Sequence, residues 1–274
     1  MAAGHEPVQG QDSDHHHWMG VQRVVSLRGQ HRLYISALLL ALVGTALFAL
    51  TMASVVQDTW LAGADEPVRN WLLTLRTPVF TAMMTPIAFI FGPVAMPITV
   101  LVVTLTWALI AQNAWRPLML AGAMLAGVVI SQIILPIVQR PRPPAQAMLL
   151  GPDGSYSFPS GHVLGACDFL LVTAFLVLSR RKTPLLTSAI CLAAVLGISL
   201  VTISRLYLGY HWLTDAIASM SLSLVILGST IATDTRHTTY SPGSKPKAEQ
   251  HSFRYGHVVQ RRKGLRAYLS RRRQ

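Results

Sequence analysis

The chain has 274 residues, 51% of them hydrophobic and only 12% charged, with a mean hydropathy of +0.43. Soluble domains carry about 25% charged residues, so this composition excludes an ordinary soluble domain and indicates a membrane protein. The formal charge of +12 is then a topology signal first, and Cys167 and Cys191, both inside apolar runs, read as buried small hydrophobes rather than a disulfide framework.

Residues 1–32 are polar and are expected to form a flexible tail; the His15-His16-His17 run reads as solvated rather than metal-binding. Leu33–Val55 is too long for a secretory signal and reads as an uncleaved first span. In residues 57–85, Trp71 and Leu72 sit beside Arg69 and Arg76, a pattern that suits a short helix lying in the membrane interface. Five further apolar runs follow, at about 86–111, 118–138, 163–179, 185–203 and 212–233. At 1.5 Å per residue each covers most or all of a hydrocarbon core of roughly 30 Å. Pro86, Pro93 and Pro97 predict a kink in the second span.

The expected fold is therefore all-α: a polytopic helical bundle of six transmembrane helices over residues 33–233, followed by a basic tail, 234–274. Alternate connections put most of the lysines and arginines on one side, including Arg180-Arg181-Lys182 and both tails. Both termini are accordingly expected in the cytoplasm of a multi-pass cell-membrane protein. The Arg261-Arg262-Lys263 and Arg271-Arg272-Arg273 clusters suit an anionic lipid surface. Nucleic-acid binding is not expected, because no aromatic-rich module accompanies them.

On that topology the connections 139–162 and 204–211 lie on the same, outer face. They carry Gln139-Arg-Pro-Arg-Pro143, Phe158-Pro-Ser-Gly-His162, Ser204-Arg205 and His211. Arginines kept on the outer face against the positive-inside trend, and ionisable residues at a membrane edge, are functional candidates. His211 and Asp215 are four apart, which on a helix stacks them on one face, so the carboxylate can hold one imidazole nitrogen and leave the other free.

The chemistry this set allows is phosphoryl transfer. Arg142, Arg205 and the backbone N–H groups of Ser160-Gly161 at a helix start form an anion cradle. His211, oriented by Asp215, attacks phosphorus, and His162 protonates the departing oxygen. No acidic cluster offers magnesium ligands and no Cys/His set has zinc spacing, so a metal-free, cofactor-free covalent route is expected.

Arg142-Pro143, Pro159-Ser-Gly-His162 and Ser204-Arg-x5-His-x3-Asp215 resemble, in order, the three signature motifs of the type 2 phosphatidic acid phosphatase family. The motif match covers about 135–215, and the span layout extends it over roughly 33–233. The resemblance implies a helical core, a phosphohistidine intermediate and a lipid phosphate or pyrophosphate substrate. It also implies His211 as nucleophile, Asp215 as its orienting partner and His162 as general acid, with Arg142, Ser160, Gly161 and Arg205 on the phosphate. Within that substrate class an outward site suggests a polyprenyl pyrophosphate, ahead of phosphatidic acid or phosphatidylglycerol phosphate.

The first motif departs from the family, which carries a Lys where this chain has Leu135. Arg140 or Gln139 is expected to compensate for the lost contact; Gln132 lies near the same face. The alternative reading, a non-catalytic lipid-phosphate binder or transporter on the same scaffold, draws on Leu135 alone, and the intact His162, His211 and Asp215 argue against it. Asp168, a carboxylate inside the fourth span, is expected to make a structural hydrogen bond to another span.

Overall fold

A computed structural model of the chain describes residues 23–111, 113–180 and 183–241. The His15–His17 run, the rest of the N-terminal tail before Arg23, and the basic clusters beyond Ser241 lie outside the described residues.

The architecture is almost wholly helical: α1 Leu27–Gln57, α2 Asp65–Thr74, α3 Pro78–Ile90, α4 Ala95–Ala111, α5 Trp115–Val138, α6 Gly161–Leu178, α7 Pro184–Tyr207 and α8 Leu213–Thr238. The all-α expectation needs one small correction. Two-residue strands β1 Arg23–Val24 and β2 Thr239–Tyr240 pair in parallel and join the two ends of the described chain.

Five helices, α1, α5, α6, α7 and α8, are each long and apolar enough to cross a membrane. The α3–α4 pair makes a sixth span if taken together, but it bends by 55°. The expected kink is thus a full break. Phe91 closes α3 and Pro93 lies in the turn before α4, where proline has no N–H to continue the ladder. Pro86 lies within α3. The first helix starts earlier than the apolar run suggested, at Leu27, because the Ser26 hydroxyl accepts from Gly29 N–H at 3.2 Å and caps a turn that includes Arg28. Between these spans, α2 is the short helix expected there, with Trp71 60% exposed.

Glycine lets α1 and α8 pack closely. A Cβ at Gly44 would lie 2.5 Å from the Ser221 carbonyl oxygen, and one at Gly228 would lie 2.5 Å from that of Ala37. Small residues at such crossings let backbones touch, which replaces the hydrophobic drive that lipid does not supply. Leu120, Leu164, Val172 and Leu176 form the centre of the core among α5, α6 and α8. Large apolar side chains such as Leu109, Ile110 and Leu185 point outward, as a lipid-facing surface requires. Cys167 is buried as expected, but Cys191 is exposed on that outer surface; both thiols are free.

Asp168, 1% exposed, faces the Ser223 hydroxyl of α8, a partner on another span of the kind expected, although the pair falls outside strict hydrogen-bond geometry. Oδ2 occupies the space over Gly127 of α5, where any Cβ would collide with it. The fit is one of shape: glycine makes room for a carboxyl group between two spans.

Candidate active site

The C-terminal ends of α5 and α7 and the N-terminal ends of α6 and α8 meet at one end of the bundle, with the 139–160 and 208–212 connections over them. The turn after α7 depends on Gly209, at φ +85°, where a Cβ would strike the Ala147 carbonyl. Arg76, just past α2, donates to the carbonyls of Ala147 at 2.6 Å and Tyr207 at 2.7 Å and so clamps both connections.

His211 is buried in that turn, ahead of α8. The pairing with Asp215 is therefore not two residues stacked along a helix. Asp215, in the first turn of α8, bends back over the helix N-terminus. Its Oδ2 accepts from Trp212 N–H at 2.9 Å and faces His211 Nδ1 at 3.3 Å. Nδ1 also lies 3.0 Å from the Ser157 carbonyl. Both neighbours are acceptors, so the proton resides on Nδ1 and the lone pair on Nε2. Arg142 Nη1 donates toward Nε2 at 3.2 Å. Burial lowers the His211 pKa to about 4, against the opposing pull of Asp215, so the ring is neutral at neutral pH.

Arg142 is fixed from several directions. It donates to the Tyr210 carbonyl at 2.7 Å, to the Ser155 carbonyl at 3.1 Å and hydroxyl at 2.9 Å, and pairs with Asp153 at 3.1 Å. Burial pushes the Asp153 carboxyl up, but the Ser155 N–H and hydroxyl, with Arg142, hold it below its ordinary value. Arg205, 5% exposed, stacks on the Tyr210 ring at 4.6 Å, and its Nε has no hydrogen-bond partner. Ser160 stands at the N-cap of α6 without capping it: its hydroxyl is fully buried and bonds to nothing. Gly161 opens that helix, whose first-turn amides have no carbonyl one turn back. His162 follows it, with Arg142, Arg205, His211 and Asp153 as its titratable neighbours. A buried hydroxyl and a buried guanidinium N–H without acceptors, beside a helix N-terminus, are the partners a phosphate oxygen needs.

The residues expected to replace the missing lysine sit elsewhere. Gln139 adopts the left-handed conformation at φ 50° and closes α5, with its side chain exposed. Arg140 turns behind Asp215, donating to Asp215 Oδ1 at 2.6 Å, to the Thr214 hydroxyl at 2.6 Å and to Asp65 Oδ2 at 2.5 Å. Asp65, 3% exposed at the start of α2, also accepts from Thr214 N–H at 2.9 Å and its hydroxyl at 2.6 Å. Two nearby carboxylates hold the guanidinium more strongly than an open cradle would. The sequence reading missed Asp65 and Asp153. Asp65 carried a usable signal, being an acidic residue at the start of a short helix between apolar spans.

No group of three or more potential metal-ligating side chains exists among the described residues. Residues 116–238, which hold every motif discussed, match the family model described as the PAP2 superfamily. That stretch, and with it the candidate site, is similar to the PAP2 superfamily. Phosphatidylglycerophosphatase B of Bacillus subtilis (strain 168) is 26% identical over 186 residues, which are 66% of this chain and 88% of that protein. The crystal structure of a transmembrane PAP2-type phosphatidylglycerolphosphate phosphatase from Bacillus subtilis shares the fold, with a TM-score of 0.62 at 22% identity over 71% of this chain and 96% of that one. The PAP2 match begins at Arg116, so Asp65 reaches the site from outside the matched region.

Proposed function

We propose that the chain is a membrane lipid phosphatase that hydrolyses a phosphate monoester or diphosphate through a phosphohistidine intermediate. The observation that carries this reading is the pair of buried, unpartnered donors, Ser160 Oγ and Arg205 Nε, beside a His211 whose Nε2 lone pair faces the Arg142 guanidinium. His211 Nε2 attacks phosphorus, the P–O bond to the lipid breaks, and His162 gives its proton to the departing oxygen. Water then attacks the N–P bond, His162 takes the proton from that water, and phosphate leaves with His211 restored. Arg142, Arg205, Ser160 Oγ and the α6 amides hold the phosphoryl oxygens as charge shifts among them. The substrate's negative charge offsets the guanidiniums that face His162 in its acid role.

The concentration of lysine and arginine toward the tails and the 180–182 turn supports a site facing outward from the cell membrane, with both termini inside. The name of the curated relative makes phosphatidylglycerol phosphate the first substrate to test, alongside the polyprenyl pyrophosphate suggested by an outer-leaflet site and phosphatidic acid. Purified protein, assayed for phosphate release in chelator against these three lipids, tests the reading. Release from at least one lipid, abolished in His211→Ala, is the expected result. Binding of a lipid phosphate with no release would sink the proposal and leave a non-catalytic binder.

A further inference from the structure

The break in the second span lies against His162. A four-residue turn, 91–94, joins α3 to α4, and Gly92 within it is buried. A Cβ at Gly92 would stand 3.6 Å from His162 Nε2, in van der Waals contact with it. Packing holds this wall in place from both sides. Ile87 and Phe91 pack against the buried cluster that contains Val163 and Ala166 of α6. Met96, in the first turn of α4, shares a core cluster with Leu164 of α6. The Ser204 hydroxyl donates to the Met84 carbonyl at 2.8 Å, which ties α3 to α7 one residue before Arg205.

Backbone conformation does not require the glycine. The φ of Gly92 lies outside the left-handed region. Its N–H donates to the Phe89 carbonyl at 3.0 Å, and its own carbonyl accepts from Met96 N–H at 3.0 Å. What the missing side chain does is leave Nε2 of His162 uncovered on this wall. The ring is half-buried and, among the described residues, makes no hydrogen bond or ion pair. In the proposed mechanism the P–O bond breaks, its electron pair stays on the departing oxygen, and His162 supplies the proton. An oxygen within hydrogen-bond reach of Nε2 brings its own first carbon into the same shell. A side chain already touching Nε2 would compete for that shell. Phe89 and Val94, on either side of Gly92 in the chain, are 72% and 66% exposed, an apolar setting that suits an alkyl group.

We propose that Gly92 is a specificity-determining residue: with no side chain it keeps His162 open toward the α3–α4 break, where the departing oxygen and the first carbons of a lipid alcohol are received. The substrate class is then a phosphate monoester of such an alcohol. The inference rests on the proposed role of His162 as the acid. Gly92 precedes the matched residues 116–238, so the family match assigns it no role.

Phosphate release from phosphatidic acid and phosphatidylglycerol phosphate, by wild type, Gly92→Ala, His162→Ala and the double variant, tests this. In the wild-type background Gly92→Ala is expected to slow release about tenfold. In the His162→Ala background it is expected to change release by less than about twofold, because the atom it covers is gone. An equal loss in both backgrounds would overturn the proposal, since strain against the Ala88 and Phe89 carbonyls, 3.1 and 3.0 Å from the new methyl, acts with or without His162. Full activity in a folded Gly92→Ala would overturn it too. Release by wild type from polyprenyl pyrophosphate alone, whose departing oxygen carries phosphorus instead of carbon, would overturn Gly92's role and leave the phosphatase reading standing. No release from any lipid would remove both. If Gly92→Ala does not fold, wild type serves: an alkyl phosphonate with a diazirine on its second carbon is expected to cross-link within residues 88–96. Label confined to other segments would sink the inference.

Discussion

Asp215 turns one carboxylate oxygen to His211 Nδ1 at 3.3 Å and the other to Arg140 at 2.6 Å. Arg140 in turn bridges to Asp65, so a residue of the short helix α2 helps to set the carboxylate that holds His211, the nucleophile of the proposed mechanism. Asp65→Asn and Arg140→Gln are each expected to lower kcat about 10- to 100-fold, the worth of a hydrogen bond to a charged group, with KM little changed. Arg140→Lys should recover part of the loss. Combining Asp65→Asn with Arg140→Gln should cost less than the product of the single effects, because both act through one carboxylate. A role in folding alone would lower Tm without this kcat pattern.

In the proposed mechanism His162 acts on the leaving group, so its removal should matter most when that group is a poor one. His162→Ala is expected to cut phosphate release from an alkyl phosphate lipid by about 10²- to 10⁴-fold. With an aryl phosphate, whose phenolate leaves without a proton, the defect should shrink markedly. An equal defect on both substrates would move His162 from acid catalysis to phosphate binding.

The burial of His211 sets a pH dependence. Its pKa of about 4 lies below the ordinary 6.5. The neutral ring, the form that attacks in the proposed mechanism, is present above about pH 4, and kcat/KM is expected to fall as pH drops through that value. The unfolded chain takes up this proton first, so His211 contributes stability that is fully present above 6.5 and lost as pH falls toward 4. Asp215 pulls the pKa upward, so Asp215→Asn should shift the acid limb of kcat/KM to lower pH as well as slowing the reaction. A limb that came from titration of the substrate phosphate would not move.

Gly127 and Asp168 form a second pair, joined by shape. Gly127→Ala is expected to destabilise the protein by about 1–3 kcal/mol, because the new methyl overpacks against Asp168 Oδ2. Asp168→Ala removes the obstructing group, so the double variant should be more stable than Gly127→Ala alone. Thermal unfolding in one detergent measures the coupling, and simple additivity would refute the contact.

Much of the site was legible because membrane burial makes polar residues conspicuous. Arg142, Ser160, His162, Arg205, His211 and Asp215 stand out against apolar runs, and alternate crossings alone assign them to one end. Arg140 was expected to make up for Leu135 because it is a spare cation five residues further along the same motif. Its partner Asp65 lies 75 residues away, a distance over which a local pattern carries no information.

Composition and hydropathic periodicity, read from the sequence by themselves, determined a helical membrane bundle, its span segments, and the residue types available for phosphoryl transfer. They do so because hydrocarbon admits few backbone forms and few charges. Only the tertiary structure decided that the second span breaks between α3 and α4, that His211 sits in a turn rather than on α8, and that Arg140 faces two carboxylates. Those outcomes depend on where helix ends meet and which charges come within hydrogen-bond reach. Such distances between remote segments are set by packing and are not written in any local stretch of the chain.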